Sequence, residues 1–141
     1  MRILGIDFGE ARIGIAVSDP LGITAQPLET IHWNGEWKKP LERIKELTEL
    51  YQCRKLVVGL PGNMNGTFGE RSERTLKFIG KLYDFIPDAQ VIAWDERLTT
   101  AQSRQMLKDM GISSRKHKGK IDQIAASIML QSYMDASVTR E

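Results

Sequence analysis

The chain opens with the stretch RILGIDFGEARIGIAVS, residues 2–18, and this stretch decides the fold. Its first part, Arg2 to Phe8, is an apolar run that contains one acid, and Gly9 ends the run, which predicts a buried strand. Ile13 to Ser18 alternates large apolar residues with small ones, which predicts a second strand. Because the spacer between the two runs is short, we expect them to pair as a hairpin.

The rest of the chain adds one more strand and then alternates helical and strand-like patterns. A third strand is predicted at Thr24 to His32, and Pro27 within it indicates an edge position or a bulge. Later strands are predicted at Lys55 to Leu60 and at Gln90 to Trp94, with helical spacing around them. This order predicts a single α/β domain over residues 1–141. Its mixed five-stranded sheet, an antiparallel meander plus parallel strands, is flanked by helices on both faces.

Four helices are predicted from the spacing of their apolar residues. The positions are Leu41, Ile44, Leu47, Leu50 and Tyr51 in the first helix, Leu76, Ile79, Leu82, Tyr83 and Ile86 in the second, Met106, Leu107 and Met110 in the third, and Ile121, Ile124, Ala125 and Ile128 in the fourth. Capping boxes are predicted at Thr67–Glu70 and at Thr99–Gln102. Asp122 falls one position off the fourth stripe, so we expect it at the edge of the packed face.

The composition of the 141 residues limits the class of protein. Hydrophobic residues make up 41% of the chain, enough for a buried core, whereas a net charge of +2 neither indicates nor excludes a nucleic-acid partner. Cys53 is the only cysteine, so we interpret it as a structural thiol in a reducing compartment. No apolar stretch approaches the roughly 20 residues of a membrane span. We therefore expect a soluble cytoplasmic protein that does not contact a membrane.

Four acids stand where a charge needs an explanation. Asp7 ends the first strand, Asp95 and Glu96 end the fifth, and Asp122 lies in the first turn of the last helix. Taken alone, Asp7 could cap a turn, and the others could stabilise a helix N-terminal dipole. Because side chains alternate along a strand, only one of Asp95 and Glu96 can share a face with the site. The sequence leaves that choice open.

The combination of these positions indicates more than any one of them does. In a twisted sheet, the ends of two strands and the start of a helix can converge at one edge. Several carboxylates in a small volume repel one another unless a divalent cation neutralises them, and oxygen ligands favour Mg²⁺ or Mn²⁺. His32 and His117 lie far apart in the chain, so zinc is not indicated. The pattern predicts metal-assisted hydrolysis of a phosphodiester.

Basic and polar residues near these acids are candidates for contacts with substrate phosphates. Arg12 and Arg97 are close to the acids, and either could hold a phosphate or pair with a carboxylate. The other candidates are Arg115, Lys116, Lys118 and Lys120 before the last helix, and Asn63, Asn65 and Thr67 in a polar turn. The basic run could equally be a solvated loop, and the polar turn could serve only turn and cap chemistry.

Four blocks of the sequence resemble those of the YqgF family, also called RuvX. They are Gly5-Ile6-Asp7-Phe8-Gly9 extended through Arg12 to Asp19, Val58-Gly59-Leu60-Pro61 with Met64-Asn65-Gly66-Thr67, Asp95-Glu96-Arg97-Leu98-Thr99-Thr100, and Lys120-Ile121-Asp122 with Ala125-Ala126 and Ile128-Met129-Leu130-Gln131. The blocks come in the family's order and span nearly the whole chain. Members of the family are described as Holliday-junction resolvase-like proteins and also as pre-16S rRNA nucleases.

The resemblance implies an RNase H-like fold, a bacterial source and a role in maturing the 5′ end of 16S rRNA. It also implies a carboxylate site formed by Asp7, the Asp95–Glu96 pair and Asp122. Within the pair, Glu96 is favoured by analogy with related resolvases. Asp7, Glu96 and Asp122 would then bind Mg²⁺ or Mn²⁺, and Arg97 with the Lys118–Lys120 region would orient phosphate oxygens.

Other functions stay open at this point. Family membership alone does not choose between an rRNA precursor and branched DNA. A non-catalytic rRNA-processing or transcription factor is a further alternative, because spaced acids do not prove turnover. The first block also resembles the phosphate-binding hairpin of sugar kinases, actin and related ATPases, but those need two such domains and 141 residues supply one. Junction cutting would favour a homodimer, whereas RNA trimming could be done by a monomer.

Overall fold

A computed structural model describes residues 1–61, 69–99, 101, 105, 108–109, 111 and 120–139 of the chain. The strands are β1 (Ile3–Asp7), β2 (Arg12–Ser18), β3 (Ala25–His32), β4 (Lys55–Leu60) and β5 (Gln90–Asp95). The helices within these residues are α1 (Lys38–Leu50), α2 (Glu70–Phe85), a 3₁₀ helix (Glu96–Leu98) that follows β5 directly, and α3 (Ile121–Thr139). The apolar positions predicted for the third helix, and Gln102 of its capping box, fall outside the described residues.

The five strands form one mixed sheet in the order β3-β2-β1-β4-β5. β1, β2 and β3 pair antiparallel, whereas β4 and β5 continue the sheet in parallel on the other side of β1. The predicted meander with added parallel strands is therefore confirmed. β3 is an edge strand, and its pairing with β2 skips one residue beside Pro27. Pro27 thus lies both in an edge strand and at a bulge.

Alternation along β1 sends successive side chains to opposite faces of the sheet. Leu4, Ile6 and Phe8 belong to a core that includes buried residues of α1 and α2. Ile3 packs in a second core, which is formed with α3. Asp7 therefore lies on the face that α3 covers, while the next residue, Phe8, anchors the end of the strand in the opposite core.

An aromatic cluster fixes the chain where β1 ends. The ring of Phe8 stacks on Phe78 of α2, with 4.5 Å between centroids, and on Trp37, with 5.8 Å. Trp33 lies 5.6 Å from Phe8, and its indole N–H donates to the carbonyl oxygen of Gly9 at 2.9 Å. Large rings packed in this way hold both the side chain and the backbone. The acid that precedes Phe8 is therefore held on a rigid support.

α1 follows the prediction for most of its length. Leu41, Ile44 and Leu47 are buried in the core, and Tyr51 just beyond the helix packs against it. Leu50, the last residue of the helix, is 69% exposed, so its assignment to the packed stripe is wrong. It lies three residues after Leu47, but the helix ends there and Leu50 stays in solvent.

The packed face of α2 agrees with part of the predicted stripe. Leu82 and Ile86 are buried and Ile79 packs against the core, as predicted. The prediction is wrong for Leu76, which is 48% exposed, and for Tyr83, which is 67% exposed, while Thr75 and Phe78 are buried instead. Apolar residues stand next to one another in this segment, so two phases of the helical period offer an apolar stripe, and periodicity alone cannot choose between them.

The start of α2 also differs from the prediction. The helix begins at Glu70, and its N-cap is Gly69. The predicted capping box required Thr67 as the cap, so it is wrong, and Thr67 itself lies outside the described residues. The buried hydroxyl of Ser72 instead donates to the carbonyl oxygen of Pro61 and ties the first turn of α2 to the end of β4.

α3 packs with a wider face than the predicted stripe. Ile124 is buried as predicted, and Ala125 and Ile128 are partly buried, but Ile121 is 69% exposed, so its assignment to the stripe is wrong. The buried positions are Ile124, Ala126, Ser127, Met129, Leu130, Gln131, Ser132 and Met134. Asp122 precedes Ala126, Met129 and Leu130 by four, seven and eight residues and is only partly exposed, which agrees with the predicted place at the edge of the packed face. Neither α3 nor another helix in the described ranges has the length and apolar character to span a membrane.

Gly80 in the middle of α2 offers a first test of the helix. A Cβ added there would meet no described atom within 4 Å. Gly80→Ala should therefore raise the free energy of unfolding by about 0.5–1 kcal/mol, because alanine favours the helix and restricts the unfolded chain. Thermal unfolding followed by circular dichroism measures the change. A lower melting temperature would mean that this face of α2 is not open in the folded chain.

Candidate active site

Asp7 occupies the carboxyl end of β1, the central strand of the sheet. The strand lies between β2 and β4, and Asp7 pairs with Gly14 in the antiparallel ladder. Its side chain is on the face covered by α3 and is only partly exposed. A carboxylate loses hydration in such a position, so a nearby charge, proton or hydrogen bond must offset the cost.

The structure separates the two acids that follow β5. Trp94 faces α3, since its indole N–H donates to a serine hydroxyl of that helix at 2.8 Å. Strand alternation sends Asp95 to the opposite side, where it accepts from the backbone N–H of Arg97 at 2.9 Å and caps the 3₁₀ helix. Glu96 returns to the side of α3 and shares a hydrogen bond with Asp7. Of the two acids, Glu96 is therefore the neighbour of Asp7.

Three glycines on adjacent strands make room for these acids and for α3. A Cβ at Gly5 of β1 would lie 2.8 Å from a leucine Cβ of α3. A Cβ at Gly14 of β2 would lie 2.0 Å from the carbonyl oxygen of Asp122. A Cβ at Gly59 of β4 would lie 2.6 Å from Oε1 of Glu96. The missing side chains thus permit the close approach that assembles the site.

Asp122 enters the site from the first turn of α3. Its backbone lies over Gly14, and its carboxylate pairs with Arg12 of β2, with 3.1 Å between Nε and Oδ2. Its negative charge is close enough to Asp7 to raise the pKa of that group. α3 therefore adds a third acid, whose carboxylate is turned toward Arg12.

The charge balance of the site is visible in the pKa of Asp7. Burial, the hydrogen bond and charge of Glu96, and the charge of Asp122 together raise this pKa to about 8, with burial the largest cause. The positive charge of Arg71 opposes the rise. At neutral pH, Asp7 therefore keeps a proton and can donate it to Glu96. A site that retains a proton in this way is short of positive charge.

The acids suit a hard divalent cation by their chemistry. Their donors are all carboxylate oxygens, which Mg²⁺ and Mn²⁺ prefer, and their mutual repulsion would be relieved by such an ion. In the part of the chain that the structure describes, however, no three His, Cys, Asp or Glu side chains are placed to share one ion. The pair Asp7–Glu96 is in place, and Asp122 is held by Arg12. The residues fit a cation in donor type and charge, and a three-acid site would need the side chain of Asp122 to turn.

The two predicted arginines both pair with acids. Arg12 binds Asp122, and Arg97 binds Asp95 with 2.6 Å between Nη2 and Oδ2. The hydrogen bond from Arg97 holds the pKa of Asp95 below its ordinary value. Lys120 is exposed directly before α3. The other residues that were predicted to contact substrate phosphates lie outside the described residues: Asn63, Asn65, Thr67, Arg115, Lys116 and Lys118.

Sequence reasoning missed Arg71. This residue lies in the first turn of α2, and its charge acts on Asp7. A signal for it was available, because β4 runs parallel to β1 and α2 is the next helix after β4. Basic residues at the start of that helix could therefore be expected near the same edge of the sheet as Asp7.

Comparison with known sequences gives the family. A family model described as "RuvX: Holliday junction resolvase" matches residues 1–136. A protein of Acetivibrio thermocellus, named provisionally as a pre-16S rRNA nuclease, is 53% identical over 136 residues, which cover 96% of each chain. A protein of Ruminiclostridium cellulolyticum with the same name is 47% identical over 135 residues, which cover 96% of this chain and 94% of that one.

Comparison with solved structures gives the fold. T. thermophilus RuvC in complex with Holliday junction substrate matches 98% of this chain and 96% of its own, with a TM-score of 0.64 and 17% identity. At this identity the match shows the fold alone, and it confirms the expected RNase H-like architecture. The family model and the two relatives each cover nearly all of the sequence, and the chain therefore belongs to the RuvX family.

Proposed function

We propose that this chain is a nuclease that hydrolyses phosphodiester bonds of the 16S rRNA precursor and matures its 5′ end. The observation that carries the proposal is the contact between Asp7 and Glu96, with Asp122 close enough to act on Asp7 electrostatically. These acids come from a central strand, a 3₁₀ helix and α3, so separate elements supply one acidic site. The names of the two relatives supply the substrate class.

Asp7 and Glu96 would hold Mg²⁺ or Mn²⁺, and Asp122 would join them after leaving Arg12. Such an ion supplies charge neutralisation and Lewis-acid activation for the attack of water on phosphorus. The chain itself contributes preorganisation, because Asp7 stands on a strand that the Phe8 cluster anchors. Arg12 is 62% exposed, so once released it could contact a phosphate of the substrate, and Lys120 would add charge beside it.

Glu96→Gln and Asp95→Asn are a matched pair that tests the site. Each change removes one negative charge and keeps the shape of the side chain. We expect Glu96→Gln to lower the rate of precursor cleavage on the order of a hundredfold or more, because a charge beside the reacting phosphate is lost. Asp95→Asn should keep most of the activity, because Asp95 points to Arg97. Cleavage of a 5′-extended 16S rRNA precursor, in Mn²⁺ and after chelation, measures both effects.

Three results of this assay would count against the proposal. Cleavage that survives chelation would remove the role of the cation. Full activity of Glu96→Gln, with loss in Asp95→Asn, would reverse the assignment of the pair. Binding of the precursor without cutting in Mg²⁺ or Mn²⁺ would instead favour a non-catalytic processing factor.

Cleavage of branched DNA is the second candidate, and the description of the matching family favours it. The same assay with a synthetic four-way junction separates the two substrates. A junction cut faster than the rRNA precursor would favour the resolvase, and a twofold dimer would then be expected. Action on the precursor would suit a cytoplasmic protein and would not require a dimer.

A further inference from the structure

A small cavity lies next to the end of β1, between the turn that follows this strand and the start of α2. Its volume is about 150 Å³, the space of roughly five water molecules. It is lined by Phe8, Gly9, Glu10, Arg71, Arg74 and Thr75. The turn between β1 and β2 and the first turns of α2 therefore form its walls. A cavity of this size suits a single small group, such as one phosphate.

The charged groups of the cavity favour an anion. Two guanidinium groups, those of Arg71 and Arg74, face one carboxylate, that of Glu10. Arg74 pairs with Glu10, whereas Arg71 has no salt-bridge partner among the described acids. The positive charge of Arg71 also acts on Asp7, which places the cavity beside the acidic site. Guanidinium groups bind phosphate oxygens through paired N–H donors.

The ion pair between Arg74 and Glu10 can be broken at little cost in free energy, so that another anion can replace Glu10. The Arg74 side chain is 53% exposed and that of Glu10 is 67% exposed. Ion pairs with this exposure contribute about 0–1 kcal/mol, because water solvates both partners when they separate. A phosphate group could therefore take the place of the Glu10 carboxylate on Arg74 and bind Arg71 at the same time.

We propose that this cavity binds a phosphate of the substrate backbone next to the bond that is cut, with Arg71 and Arg74 as its ligands and Glu10 as the competing anion. The inference rests on the proposed function for the nature of the substrate. Arg71 and Arg74 are thus positioning residues that hold the strand while the acids act on the neighbouring phosphate. Holding the neighbour of a reacting group fixes the geometry of the reaction before the barrier is reached.

Binding of a short single-stranded RNA by the full chain tests the subsite. Fluorescence anisotropy in Mg²⁺ is measured in an Asp7→Asn background, so that cleavage does not interfere, at several KCl concentrations. Arg71→Ala should weaken binding roughly tenfold, the loss of about 1.4 kcal/mol. The slope of log K against log salt should fall by about 0.7, as for one lost phosphate contact on a single strand.

Lys77→Ala is the matched control, because it removes one positive charge from an exposed position of the same helix. It should change the affinity much less than Arg71→Ala does, since Lys77 does not line the cavity. Glu10→Gln should tighten binding, because the competing charge is gone. Equal losses of RNA affinity in Arg71→Ala and Lys77→Ala would overturn the subsite. Unchanged or weaker RNA binding by Glu10→Gln would show that a phosphate does not replace the Glu10 carboxylate on Arg74.

A neutral backbone linkage identifies the phosphate. One methylphosphonate at the linkage that Arg71 holds should weaken RNA binding by the Asp7→Asn chain. The same methylphosphonate should not weaken binding by a chain that also carries Arg71→Ala, because the contact is already lost there. Additive losses at every position would contradict the contact. Melting temperatures of Arg71→Ala and of its parent should agree, which separates a binding role from a structural one.

The two proposals can fail separately. The subsite alone would be refuted by the following pair of results. The natural chain cleaves the precursor, and Arg71→Ala and Lys77→Ala have equal affinities for RNA and equal cleavage rates. A chain that binds RNA through Arg71 but does not cleave it in Mg²⁺ or Mn²⁺ would refute the nuclease function and leave the subsite standing.

Discussion

Replacing Asp7 with asparagine should abolish phosphodiester cleavage and at the same time make the folded chain more stable near neutral pH. The loss of cleavage follows from the removal of a carboxylate from the acidic site. The gain in stability follows from the pKa of Asp7, which burial and the charges of Glu96 and Asp122 raise to about 8. Asparagine is neutral at any pH, so folding near neutral pH no longer carries the cost of protonating a carboxylate that is ionised in the unfolded chain.

The sign of the pH dependence follows from the same shift. From about pH 4 to about pH 8, the folded chain keeps a proton on Asp7 that the unfolded chain has released. Stability from this group therefore falls as the pH rises through that window, by at most about 1.4 kcal/mol per pH unit. Asp7→Asn should flatten this part of the profile. Thermal unfolding across the window, with and without Mg²⁺, measures it, and Mg²⁺ should stabilise the natural chain more than the variant.

Asp19→Asn is a control of opposite sign. Burial is the largest single influence and raises the pKa of Asp19, but the N–H donors of Thr24, Ile23 and Leu21 together outweigh it and lower the pKa below its ordinary value. The carboxylate thus contributes stability above its unfolded pKa, and that contribution is lost as the pH falls. Asp19→Asn should destabilise the chain at neutral pH. If Asp7→Asn also destabilised it there, the raised pKa of Asp7 in the folded chain would be refuted.

Alanine at Gly14 and at Gly59 should have different effects, although both glycines border the site. At Gly14 the added Cβ would meet the backbone carbonyl of Asp122 at 2.0 Å, so α3 itself must shift. We expect Gly14→Ala to lower the free energy of unfolding by about 1–3 kcal/mol or more. At Gly59 the nearest atom is Oε1 of Glu96, at 2.6 Å, the far end of a flexible side chain that can rotate away.

Gly59→Ala should therefore nearly retain the stability of the chain but cut the rate of cleavage by roughly a hundredfold, because Glu96 is displaced by an ångström or more. Thermal unfolding and single-turnover cleavage of the precursor separate the two effects. Gly80→Ala, which meets no described atom, is the control for the substitution itself. Normal cleavage by Gly59→Ala would mean that Glu96 does not act from the position it has beside Asp7.

The residues that periodicity left ambiguous show where sequence reasoning reaches its limit. In α2, adjacent apolar residues permit two helical phases, and only contact with the sheet selects the one that buries Phe78. In α3, apolar and small residues occur on most sides, so the exposure of Ile121 could not be read from the pattern. After β5, the choice between Asp95 and Glu96 depended on the face of Trp94, which a hydrogen bond to α3 fixes.

The order of residues by itself determined the strands, their hairpin and parallel connections, an edge or bulge at Pro27, and the three places from which the acids come. It could do so because strand alternation, turn residues and the ends of apolar runs are local properties of the chain. Only the tertiary structure decided that Glu96 contacts Asp7, that Arg12 holds Asp122, and that Arg71 stands beside them. Some of those contacts join segments that lie more than a hundred residues apart in the chain. The distances between the side chains depend on how closely the glycine-lined strands let α3 approach the sheet.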